Sequence, residues 1–388
     1  MRKIKILKAS YLYSEYITKF YVNNIGIKNE SYSQQYSLIV EDMFGWCDVW
    51  KRTLESSDSF EVIEIMLTNE IIQKKWAEEN NINYSERNWL MDIFQAQLVF
   101  FEPDVLFAHD NIHLTTEVIK KIKSSNTFVK LVIGYDGIAL NNLNRFEEFD
   151  IVLSCLESTS NYYTNGSKGK IKGYFLPLGF DTMVLEKLTI SDTRIPFSFV
   201  GSLVRGQGYH MKRIKDLTKL ANNSPVKIYS NGMGEPYEPY RYLQRNRLKK
   251  LEFKEFWQVY SIGRKTKTPV FGMDMYNLLA SSDITFNCHL DNANGKAANM
   301  RLFEATGVGS CLITDYMDNL KDFFDIDNEV VTYKSIPECI DKVKNLLRDD
   351  KLRKKISIAG QNKTLSQHTF QSRIIDFSNF LNLTIAQL

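Results

Sequence analysis

Short apolar runs recur along the whole chain, separated by stretches of helix length in which apolar residues return every three or four positions. In the N-terminal half, "IKILKA", "FEVIEIML", "DVLFAHD", "VKLVIGYD", "DIVLSC" and "GYFLPLGFD" read as strands. Residues 33–55 read as a helical region interrupted at Phe44-Gly45-Trp46, and residues 89–101 as another helix. Strands alternating with helices predict parallel βαβ units with right-handed crossovers. After Asp181 the pattern lapses, and "TMVLEKLTISDTRIP" suits a linker. A second series follows: "FSFVGSL", a helix at 209–222, "VKIYSNG", a helix at 273–280, "DITFNCH", a helix at 297–306 and "SCLITD", with "HTFQSRIIDFSNFL" as a last helix. The fold class expected is α/β, with Rossmann-like, doubly wound domains at 1–185 and 186–365 and a C-terminal helical segment at 366–388. In open α/β sheets ligands bind at the C-terminal ends of strands, so an interdomain cleft is the expected site.

Composition agrees with two ordinary domains. At 388 residues the chain is about twice the common domain length of about 100–200. Its 44% hydrophobic and 24% charged content is that of a globular protein, not a disordered one. A net charge of +3 is too small to argue for nucleic acid, so any basic site must be local. No window approaches about 18 uninterrupted apolar residues and the N-terminal run is too short for a signal sequence, so a cytoplasmic location is expected. Cys47, Cys155, Cys288, Cys311 and Cys339 lie far apart, which favours buried thiols over a zinc site or disulfide framework.

The stretch "NGKAANMRLFEATGVGSCLITD" carries candidate chemistry. On a helix at 297–306, Ala297, Arg301 and Glu304 share one face, while Met300 and Phe303 turn to another and Gly307 suits a left-handed cap. The plain reading is an exposed salt bridge. The chemical one is a carboxylate that accepts hydrogen bonds from a vicinal diol such as that of ribose.

"RLFEATGVGSCLITD", preceded by "MDMYNLLASSDITFNCH", resembles the C-terminal half of group-1 glycosyltransferases of the GT-B architecture, in the CgeB-like branch found in bacterial surface-polysaccharide synthesis. "FGWCDVWKRTLE", "EPDVLFAHD", "DIVLSC", "FLPLGFD" and "FVGSLV" follow the same order. The resemblance implies a nucleoside-diphosphate-sugar donor with Glu304 at its ribose and Arg301, Asn299 and Lys296 among its contacts. Gly201 and Ser202 would bring backbone N–H groups to the diphosphate, and Arg205 would meet the charge on the leaving group with no metal and no further cofactor. Lys296 stands where many retaining members carry a first glutamate, so the sugar-side contact stays open. The first domain would supply the acceptor side: Gly45 and Trp46, with Asp42 beside them, and Asp136. His109 and Asp110 end a strand as candidate catalytic groups, Asp110 being preferred as base. Trp46 is either a sugar-stacking platform or half-buried core. In this architecture the last helix crosses back to the first domain.

The acceptor implied is a glycan or a polyprenyl-diphosphate-linked glycan. Residues 240–267 carry nine Lys and Arg against Glu252 and Glu255, interleaved with aromatics. That composition suits an anionic lipid surface at the inner face of a membrane. It also suits nucleic acid, but the rest of the chain is near neutral and no nucleic-acid partner is expected. A non-hydrolysing nucleotide-sugar epimerase and a non-catalytic basic binding protein on the same scaffold are the alternative functions.

Overall fold

In the computed structural model, residues 2–139, 142–204, 208–231, 253–290 and 293–387 are described. The chain divides into two compact units, Met1–Pro177 with Phe370–Leu388, and Leu178–Thr369. The second unit closes at both ends of its chain: Phe180 forms a bridge with Thr369 and donates its N–H to the carbonyl of His368.

The first unit holds β1 (Ile4–Ser10), β2 (Phe60–Met66), β3 (Val105–Ala108), β4 (Leu131–Tyr135), β5 (Ile151–Ser154) and β6 (Lys172–Phe175), in the all-parallel order β2-β1-β3-β4-β5-β6. The second holds β7 (Ile195–Val200), β8 (Lys227–Tyr229), β9 (Thr266–Lys267), β10 (Ser282–Asn287), β11 (Cys311–Asp315) and β12 (Val331–Tyr333), in the order β12-β11-β10-β7-β8-β9. Helices cover both faces, so strands such as β3 and β11 are buried at every residue, and β3 appears in sequence as an unbroken apolar run. The strand order reverses between β1 and β3 in one sheet and between β7 and β10 in the other. These are the switch points where crossovers leave in opposite directions and open a crevice at the strand ends.

The expected elements form with shifted ends. The region at 33–55 is two helices, Tyr32–Glu41 and Val49–Leu54. Between them Met43, Gly45 and Asp48 take left-handed backbone (φ 55°, 67° and 66°), which no helix can run through. Ser31 starts the first of the two with a reciprocal cap to Gln34. The helix Phe370–Ile385 packs on the first unit, Phe377 meeting Trp50 and Tyr174 edge-on.

Two expectations are corrected. The helix expected at 297–306 is Arg301–Gly307. The Asn319 amide takes both the N–H and the C=O of Ala297, at 2.8 and 3.1 Å, and so holds that residue outside the helix. The left-handed cap is Gly309 (φ 81°), not Gly307: Gly309 N–H reaches the Thr306 carbonyl and Ser310 N–H the Ala305 carbonyl, a double C-terminal closure. Gly307 serves close packing instead, since a Cβ there would lie 2.4 Å from the Phe180 ring. All five cysteines are free and buried. No helix among the described residues is long and apolar enough to cross a membrane.

Candidate functional site

The second unit's switch point is framed by the residues that follow β7 and β10. Gly201 and Ser202 continue from β7, and a Cβ at Gly201 would come within 3.0 Å of the Phe199 ring. Arg213, in the first turn of the helix Met211–Asn223, spans the gap between the two strand ends. Its guanidinium donates to the Ser202 carbonyl at 3.3 Å and to the Cys288 carbonyl at 2.8 Å, and lies over the Phe199 ring. Lys212, beside it, reaches Asp216 at 3.4 Å and Asp315 at 3.5 Å. Two cations and no acid in a first turn run against the helix dipole, which favours negative charge there. Arg213 also keeps its Nε buried without a hydrogen-bond partner among the described residues.

Beyond β10 and β11 lies His289. Asp315 accepts from its backbone N–H at 3.0 Å and contacts its Nδ1 at 2.7 Å. Burial pushes the Asp315 carboxyl up, but the His289 ring, Lys212 and the His289 N–H outweigh it and hold the group below the usual carboxylate range. Asn287 at the end of β10 exchanges amide hydrogen bonds with Asn299, at 2.8 and 3.3 Å, and donates to Thr314. This pairing fixes the loop that delivers Arg301.

Arg301 and Glu304 form a 2.9 Å ion pair with side chains only 14% and 8% exposed, so the pair is not a solvated surface bridge. Burial raises the Glu304 carboxyl pKa, with Arg301 opposing the rise. Arg301 is under-satisfied: its other acceptor is the Met275 thioether, a weak one, and its Nε is buried with no partner among the described residues. Lys296 is exposed in the turn that contains Asn294 and Gly295, both left-handed. Arg205 lies outside the described residues, as does most of the basic segment at 240–267.

In the first unit the structure gathers Trp46, His109, Asp110 and Asp136 at the C-terminal edge of the sheet. Trp46 is buried. Its ring stacks on His109 at 4.5 Å and meets Tyr135 and Phe370 edge-on, so the reading of Trp46 as a sugar platform gives way to core. His109 is half-buried, its Nδ1 enclosed without a partner among the described residues, and burial with the nearby Lys8 pushes its pKa well below the usual imidazole value. Asp136 accepts from the Tyr163 hydroxyl at 2.6 Å and stands 3.8 Å from Arg145. Burial raises its carboxyl pKa against both. Asp110 is fully committed: one oxygen accepts the N–H groups of Ile112 and His113, and the other holds His113 Nδ1 at 2.7 Å. Gly45 is exposed at the loop tip and Asp42 is half-buried beside Tyr16, whose phenol pKa is raised by burial first and by Asp42 second.

Sequence reasoning missed Lys212, Arg213, His289, Asp315 and His113. The signal for the first two was present as "HMKR", basic residues opening a helix where acids are favoured. His289 and His113 each follow a strand end by a few residues, but their carboxylate partners are visible only in three dimensions.

Residues 213–379 match the family described as glycosyl transferase-like. No curated protein matches the chain. Among solved structures, Anabaena Alr3699/HepE in complex with UDP is similar over 100% of both chains at 11% identity, with a TM-score of 0.55. A glycosyltransferase from Rickettsia africae is similar over 99% of this chain and 98% of its own, at 11% identity and a TM-score of 0.56. Sucrose-phosphate synthase from Thermosynechococcus elongatus gives 0.55 at 11% identity over 100% of both chains. At these identities the likeness establishes the fold, which is GT-B.

Proposed function

We propose that the chain transfers a sugar from a nucleoside-diphosphate donor to a hydroxyl of a glycan or lipid-linked glycan, in surface polysaccharide assembly at the inner face of a membrane. The observation that carries the reading is the pair of under-satisfied arginines in the second unit. Arg213 and Arg301 each keep a buried Nε without a partner among the described residues, and one opens a helix where an anion is favoured. The glycosyl transferase-like match to residues 213–379 supports it, and the UDP bound to the Anabaena neighbour makes UDP the first nucleotide to try.

In this reading the diphosphate lies at the β7–β10 switch point against Lys212 and Arg213, and Glu304 accepts from the ribose diol. Charge that develops on the departing phosphate meets cations already fixed by Asp216, Asp315 and backbone carbonyls, so no reorganisation accompanies bond breaking. In this reading these side chains fill the role of a divalent cation, and the reaction is metal-independent. Arg205 remains a candidate counter-charge. Thermal stabilisation against UDP, GDP, dTDP, CDP and ADP in EDTA is the direct test. One nucleoside diphosphate should raise the midpoint by several degrees, as ligand in excess of its Kd does. A flat panel would sink the donor-site reading.

On the acceptor side, His113 is the group built to take a proton. Its Nδ1 is held by the buried Asp110 and its ring is 40% exposed, the arrangement in which a carboxylate orients an imidazole and stabilises it when charged. His113→Gln is expected to lower kcat about 100-fold or more while leaving nucleotide affinity unchanged, since general-base contributions run about 10²–10⁴. Full turnover in this variant would return the base role to His109 or Asp136.

A further inference from the structure

Among the described residues of the second unit, His289 is buried, held by a carboxylate on one nitrogen and left with the other unused. The residue is 4% exposed, and its Nε2 is enclosed with no hydrogen-bond partner among the described residues. An enclosed imidazole nitrogen without a partner costs about 1–3 kcal/mol unless something else satisfies it. The ring stands beyond the ends of β10 and β11, held by Asp315, which Lys212 also reaches. Arg213 donates to the carbonyl of Cys288, the residue just before His289, so the imidazole sits next to the candidate diphosphate groove.

We propose that His289 is a phosphate ligand that binds its proton together with the nucleotide: on nucleoside-diphosphate binding the ring becomes the imidazolium, and its Nε2–H donates to a diphosphate oxygen. The inference rests on the donor-site reading above and deepens it. Asp315 is ionised and accepts at Nδ1, so the neutral ring keeps its single proton on Nδ1 and presents a lone pair at Nε2. A lone pair repels a phosphate oxygen; a second proton turns the contact into a charge-assisted hydrogen bond.

The groups around the ring set the balance. Asp315 on β11 favours the cation. From the helix Met211–Asn223, Lys212 and Arg213 oppose it, while Asp216 offsets Lys212; His210 precedes that helix beside Arg213. Tyr333 on β12 donates to the Asn287 carbonyl, and Cys288 is buried, so both stay neutral at pH 7. Around the ring two carboxylates thus stand against the two cations Lys212 and Arg213. A diphosphate adds at least two negative charges and tips that balance toward the imidazolium. The sign is then fixed: because the proton binds together with the nucleotide, affinity falls as pH rises.

The test uses isothermal calorimetry with the panel nucleotide that binds the wild-type chain, from pH 6 to 9 and in buffers of different ionisation enthalpy. Wild type is expected to take up protons on binding near pH 7.5. His289→Asn keeps a donor to Asp315 but has no second nitrogen; it should take up none and lose about 10- to 100-fold in diphosphate affinity. Its affinity for the matching nucleoside should stay unchanged. Equal proton uptake and equal affinity in the variant overturn the proposal. Because the variant may be unstable, ring-¹⁵N-labelled histidine in the wild type gives a second readout. The chain has five histidines, and one imidazole should gain a proton on nucleotide addition at pH 7.5. No change in any imidazole overturns the proposal as well. A wild-type chain that binds no nucleoside diphosphate overturns it together with the donor-site reading, whereas binding with His289 indifferent overturns this inference alone.

Discussion

Replacing Lys8 by methionine is expected to cost about 3–5 kcal/mol of folding stability, the range measured when one member of a buried ion pair is removed. The Lys8 and Glu64 side chains are 1% and 0% exposed and are joined directly, with Ser10 bonded to both. Among the described residues Lys8 alone sets a positive charge against this Glu64 oxygen, so methionine would strand the carboxylate in a dry core. Adding Glu64→Leu should restore most of the loss, because the desolvation cost of both charges then disappears. Urea unfolding followed by tryptophan fluorescence reads this directly, since Trp46, Trp50, Trp76 and Trp89 all lie in the first unit. A loss below about 1 kcal/mol, in the range of exposed pairs, would mean that water reaches the pair.

The same pair has a functional side. Lys8 also donates to the Trp46 carbonyl, and the second Glu64 oxygen accepts the Asp48 N–H at 2.8 Å. These bonds pin the C-terminal half of the Met43–Asp48 turn, which contains the left-handed Asp48. The double variant should therefore regain stability without regaining acceptor turnover.

Glu304→Gln is expected to weaken nucleotide binding by about 1.5–3 kcal/mol, the contribution of hydrogen bonds to a charged group, or about 10- to 150-fold. Glutamine keeps the shape but replaces one acceptor oxygen by a donor, which cannot receive both hydroxyls of a vicinal diol. The effect should shrink to nearly nothing with the 2′-deoxynucleotide, because the two changes remove one and the same interaction. An equal loss with ribo- and deoxynucleotide would separate Glu304 from the sugar and leave it as the partner of Arg301. Acidification should mimic the substitution. A proton on Glu304 competes with the diol, and burial has raised this carboxyl's pKa, so the acid limb of binding should lie above the ordinary glutamate value of about 4.3.

Much of the architecture follows from local pattern. Parallel strands covered on both faces favour unbroken apolar runs, and such runs of three or more residues mark β3, β4, β5 and the start of β11, whereas β1 is broken by Lys5 and Lys8 and β10 by Asp283 and Thr285. Short β9 and β12 carry too few residues for a period to emerge, and neither was anticipated. Arg301 and Glu304, three residues apart on one helix, were paired from spacing alone.

What the tertiary structure decided were relations between distant residues. Arg213 reaches the Cys288 carbonyl, His289 meets Asp315, and Asn319 stops the Arg301–Gly307 helix from starting at Ala297. Trp46, placed by sequence beside a loop glycine, was sealed against His109 and Tyr135 by strands and a C-terminal helix that no local window contains. Hydrophobic periodicity is a property of consecutive residues, so the sequence carries it openly. Charge pairing and burial depend on which strand ends the fold brings together, and that is set only when the sheets close.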